Sequence, residues 1–138
     1  MTDTDTKTEQ RQRFLSEEYF AAFRTAVDAL PENPRANVDV QYTVTGGPEG
    51  EVTYCLSIRG GRIERAWLGA AEEPDLRISV DYRDLVELHT GEQHAASAFL
   101  KGTMRVDGDK AKLLELMLVL QTAVYQEVMR DLCGRTAF

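Results

Sequence analysis

Between Leu113 and Leu120 every position is apolar except Glu115, and Ala123, Val124 and Tyr125 extend the set. The spacing predicts one long helix from Asp109 to about Leu132. At about 100° per residue its apolar positions cover roughly 240° of the circumference, where a single core contact needs roughly 100°. A chain that carries such a rod must cover a second face of it. Deep burial, a second copy of the chain in a homodimer, or a lipid held against the rod would each do so. Met117 and Met104 suit a core and an adaptable pocket equally, because the thioether side chain is flexible and polarisable.

The stretch before the rod reads as the end of a helix, a glycine stop, a short strand and a tight turn. Ala98, Phe99 and Leu100 close an apolar helical patch, and Gly102 stands where a left-handed C-terminal residue is wanted. Met104 and Val106 then alternate with Thr103, Arg105 and Asp107, the period of a half-buried strand. Asp107-Gly108 supplies the turn, and Asp109 is a good N-cap for the rod.

Upstream, residues 1–14 read as a flexible polar tail and 15–138 as one domain. Ser16 should cap a helix that bears Tyr19, Phe20, Phe23, Val27 and Leu30, stopped by Pro31 and Pro34. Val38 to Val44 and Val52 to Ile58 alternate as strands around the Gly46–Gly50 turn. Gly60-Gly61 marks a hairpin into a third strand, Arg62 to Leu68, whose imperfect alternation leaves the facing of Trp67 open. Leu76, Ile78 and Val80 make a fourth strand. Asp81, with Asp84 as the acid of a capping box, should start a helix ended by Gly91, and Glu92 to Lys101 should form another. Strands and helices are segregated, and the short connections make the first strands antiparallel neighbours. The class is α+β, a five-stranded, mainly antiparallel sheet with helices packed on one face.

The totals exclude several functions. A 138-residue chain with 43% apolar residues can bury a core unaided. A formal charge of −7 without a basic run works against nucleic acids and anionic membranes. No apolar window is long enough to span a bilayer, and the polar first residues are not a secretory signal. Cys55 and Cys133 form no metal or redox motif, so a reducing, cytoplasmic home is expected.

The motifs Asp75-Leu76-Arg77-Ile78-Ser79-Val80, Asp84-Leu85, Leu88-His89-Thr90-Gly91, Ala98-Phe99, Gly102 and Gly108-Asp109 fall in an order and spacing that resembles the sterol carrier protein type 2, or sterol-binding, domain. The resemblance runs from about Leu15 to Tyr125. It implies a five-stranded sheet covered by helices, with an apolar tunnel for a sterol, fatty acid or fatty acyl-CoA, and binding without catalysis. On that reading Trp67, Leu85, Leu88, Phe99, Met104, Leu113, Met117 and Leu120 are the expected lining. Members of the fold also serve as accessory domains of enzymes, where a filled core and a protein partner are the alternative.

Other chemistry finds little support. His89 and His94, separated by Gly91, do not supply the three or four converging ligands of a metal site. Ser79 and Ser97 lack a triad-type base or a nucleophile turn. The paired glycines are not followed by helices and cradle no phosphate. No cofactor is expected. Lys101, Arg105, Lys110 and Lys112 form either a solvated rim or a receiver for a carboxylate or acyl-CoA phosphate.

Overall fold

The computed structural model describes residues 12–138; the first eleven residues of the expected tail lie outside the described ones. Two residues of that tail, Gln12–Arg13 (β1), pair in parallel with Thr136–Ala137 (β7), and Phe14 is buried. Helix α1, Glu17–Ala26, starts where its cap predicts: the Ser16 hydroxyl accepts the Tyr19 amide at 3.1 Å, with Glu17 and Glu18 in the first turn. A 3₁₀ turn, Val27–Ala29, ends it before Pro31.

The main sheet comprises β2 (Val38–Gly47), β3 (Gly50–Arg59), β4 (Arg62–Leu68), β5 (Leu76–Asp81) and β6 (Met104–Gly108), in the spatial order β4-β3-β2-β5-β6. Three of its pairings are antiparallel, and β2 with β5, at the centre, is parallel. The register stacks the apolar residues in rows. Val40 faces Leu56 and Leu76, Tyr42 faces Tyr54 and Ile78, and Val44 faces Val52 and Val80. Because successive side chains alternate, the same register sends Asp39, Gln41 and Thr43 to the opposite face. There the loop after β4 is fastened, with the Ala71 amide donating to Gln41 Oε1 at 2.9 Å.

Helices cover the apolar face. Helix α2, Tyr82–Thr90, lies against β2 and β5, and α3, Ala95–Lys101, sits beside β6. Gly91 and Gly102 terminate them with φ of 89° and 80°. The capping box does not form at α2: the Asp81 carboxylate instead accepts the Thr45 hydroxyl at 3.2 Å, and Asp84 accepts from Gln93. Helix α3 starts at Ala95 rather than Glu92. It turns Ala98 into the core, half-buries Phe99 and leaves Leu100 83% exposed, so the apolar patch expected at its end is only partly covered.

The expected single rod is two helices, α4 (Lys110–Leu120) and α5 (Ala123–Cys133). The break is at Thr122, whose extended backbone (φ −74°, ψ 149°) lets its hydroxyl accept the Tyr125 amide and donate to the Val119 carbonyl. A side chain that satisfies both helix ends competes with continuation of the helix. The surplus apolar circumference is thereby divided. Helix α4 buries Leu113, Leu116 and Val119 but leaves Leu114 69% and Leu118 39% exposed, while α5 turns Met129 and Leu132 inward. Polar contacts pin α4 to the start of β2: Lys112 Nζ donates to the Asn37 carbonyl at 2.7 Å, and Glu115 accepts the Asn37 amide at 2.9 Å.

Candidate functional site: a tyrosine-lined cavity above the sheet

A cavity of about 350 Å³ lies between the sheet and the helices. Tyr42 and Tyr54, paired across β2 and β3, form part of its floor together with Leu56 and Met104. Tyr19, Phe20 and Phe23 of α1 form one wall, Leu85, Leu88 and His89 of α2 another. Leu120, Tyr125 and Met129, around the α4–α5 junction, complete the enclosure. The exposed members of the lining are polar or small and sit together: Thr90, Gly91 and His94 beside Gln121, Gln126 and Arg130. That side is the mouth.

Of the expected lining residues, the structure brings together Leu85, Leu88, Met104 and Leu120. Trp67 lies elsewhere. Ala66 is the inward residue of β4, so Trp67 and Arg65 point to the other face, where the guanidinium stacks 4.5 Å above the indole. Phe99 is only half-buried on α3, because Ala98 takes the inward position. Leu113 is solid core under α4. Met117 faces a shallow surface groove with Arg35, Leu114 and Leu118. None of Lys101, Arg105, Lys110 and Lys112 lines the cavity, and Lys112 is engaged with Asn37 and Glu115.

Among the lining residues that sequence reasoning did not single out are the aromatics Tyr19, Phe20, Phe23, Tyr42, Tyr54 and Tyr125. Tyr42 and Tyr54 stack with ring centroids 4.8 Å apart, and Tyr54 also meets Phe20 at 5.1 Å. Strand alternation marks both tyrosines as inward. The signal available was that an inward tyrosine needs a partner for its hydroxyl. The Tyr19 hydroxyl is buried with no hydrogen-bond partner among the described residues.

The interior is uncharged near neutrality. Burial raises the titration of Tyr19, Tyr42, Tyr54 and Tyr125; for Tyr19, Tyr54 and Tyr125 neighbouring phenols add to the effect. Burial also pushes His89 down from 6.5 to about 4. Its Nδ1 lies 3.0 Å from the Leu85 carbonyl, so that nitrogen carries the proton and donates, leaving Nε2 with its lone pair. The Phe14 ring meets the imidazole edge-on at 5.1 Å. Among the described residues no cluster of side chains could hold a metal ion, and no helix is long and apolar enough to cross a membrane.

A five-stranded sheet with one polar face, and helices enclosing a cavity on the other, defines an α+β fold of the sterol-carrier type. The chain belongs to the SCP-2 sterol transfer family, which it matches over residues 32–121. Solved structures agree on the fold. The crystal structure of a sterol carrier protein 2 is 18% identical, with 87% of this chain and 97% of that chain covered and a TM-score of 0.63. A palmitated sterol carrier protein 2 like 2 from Aedes aegypti is 16% identical over 78% of this chain and 96% of that one, with a TM-score of 0.61. The fold also recurs inside a sec-alkyl sulfatase, 19% identical, where 78% of this chain matches 17% of that one with a TM-score of 0.55. A sequence search of curated proteins gave no match.

Proposed function

We propose that this chain is a non-catalytic lipid carrier that holds the apolar part of its ligand in the cavity between sheet and helices. The observation that carries the reading is the cavity itself: about 350 Å³, walled by Phe20, Phe23, Leu85, Leu88 and Met129, with the exposed members of its lining polar or small. Affinity then follows from burial, at about 0.8 kcal/mol for each ligand CH₂ removed from water. Orientation needs only a few polar contacts. Membership of a sterol transfer family and the palmitated relative support a lipid as the ligand class.

Native mass spectrometry of protein purified from cells is expected to show a co-purified lipid. Leu120→Trp should lower its occupancy at least tenfold while the melting temperature changes little. The added ring would enter the cavity beside the α4–α5 junction rather than close-packed core. A wild-type protein with a clean apo mass and no affinity for sterols, fatty acids or acyl-CoAs would end this reading. The exposed Leu114 and Leu118 on α4 favour a homodimer as a further use of that outer face. A monomer mass by light scattering at high concentration would remove it.

A further inference from the structure

The phenols in the cavity are more numerous than an apolar chain requires. Tyr19, Tyr42, Tyr54 and Tyr125 come from α1, the two paired strands and α5, and all four contribute to one lining. Each phenol can donate one hydrogen bond and accept another. The Tyr19 hydroxyl is buried without a partner. Tyr42 and Tyr54 contact each other through stacked ring faces, 8° from parallel. Filling such a cavity with hydrocarbon alone would leave several donors unsatisfied, which is unfavourable.

A further observation narrows the occupant. The charged and imidazole groups facing the cavity are few. His89 is neutral and already donates to Leu85, and His94 and Arg130 stand exposed at the mouth. A carboxylate drawn in among the tyrosines would meet no cation. The burial that pushes the phenols' own titration upward acts equally against another anion.

We propose that the cavity selects a neutral amphiphile whose hydroxyl or carbonyl oxygen hydrogen-bonds the phenols of Tyr42 and Tyr54 while its apolar part lies along the apolar walls. The proposal rests on the lipid-carrier reading and adds the chemistry of the ligand's polar end.

The test uses the full chain and the fluorescent apolar probe N-phenyl-1-naphthylamine, displaced in turn by 1-decanol and decanoate at pH 7. Decanol is expected to displace the probe at concentrations at least about tenfold below those of decanoate. In the double variant Tyr42→Phe/Tyr54→Phe, the affinity for decanol relative to that for the probe should fall about tenfold, the loss that corresponds to about one net hydrogen bond. Decanoate competing as well as decanol would overturn the proposal yet leave the carrier reading intact. So would a double variant that binds decanol like the wild type. A wild-type protein that binds neither the probe nor any competitor would overturn both. The wild-type comparison decides the matter even if the double variant does not fold, and Tyr42→Phe and Tyr54→Phe alone then report the separate contributions.

Discussion

Acidification from pH 7 to pH 4 is expected to remove about 3 kcal/mol of folding stability through His89 alone. The imidazole titrates at 6.5 when solvated and at about 4 in the fold, because burial disfavours its cation. Between those values the unfolded chain binds a proton that the folded chain refuses, so stability rises with pH across the window. The stabilisation is complete above 6.5, declines as pH falls towards 4, and changes no further below that. Two and a half units at about 1.36 kcal/mol each give the figure. Asp39 acts lower on the scale. The hydrogen bond from Arg59 holds its carboxyl below the ordinary 3.8, so its contribution is present above that value and is lost only as pH falls beneath it. Urea unfolding at half-unit pH steps separates the two, and His89→Phe should flatten the profile between 6.5 and 4. Equal wild-type stability at pH 7 and pH 4.5 would show that the imidazole is solvated. His89 belongs to the cavity wall and stays neutral in the folded chain until about pH 4, so the folded protein should keep a ligand down to that value.

Gly108→Ala is the second large effect, a loss of about 3 kcal/mol or more. The residue has a φ of +128° and pairs with Leu76 at the end of the β5–β6 ladder. A Cβ there would drive into the Asp75 carbonyl oxygen and lie 3.2 Å from the Leu76 Cα. Those are backbone atoms, which cannot step aside as a side-chain tip can. Strain of this kind costs about 1–3 kcal/mol, and the clash adds to it. Gly102→Ala is the control. Its φ of +80° is also left-handed and strained for alanine, but nothing lies within 4 Å of the added methyl. It should lose only about 1 kcal/mol, the left-handed penalty by itself. Denaturant midpoints that put the two variants level would show that the close approach at Gly108 is absent.

Periodicity was enough to find the strands, because the sheet hides one face and shows the other. Val38, Val40, Tyr42 and Val44 alternate with polar residues for that reason, and their register follows. Alternation also names Tyr42 and Tyr54 as inward. It cannot say whether the space beyond an inward residue is packed or empty, since that depends on where α1, α2 and α5 come to rest. Hence Leu113, which fills solid core, and Leu120, which borders the cavity, look alike in sequence. The break at Thr122 was hidden for a local reason. Neither Gly nor Pro marks it, and a threonine ends a helix only when its hydroxyl finds both the amide ahead and the carbonyl behind. Trp67 sits on a strand whose pairing with β3 shifts register between Ser57 and Ile58, which blurs the alternation around it.

The enclosure of the cavity by α5 has a bearing on the order of events during synthesis. The floor is written early, in the strands that carry Tyr42 and Tyr54, but Tyr125 and Met129 are among the last wall residues to leave the ribosome. A half-made chain therefore offers greasy strands and no room to shelter a guest. Enclosure of the cavity waits until α5 has been made, however early the sheet is laid down.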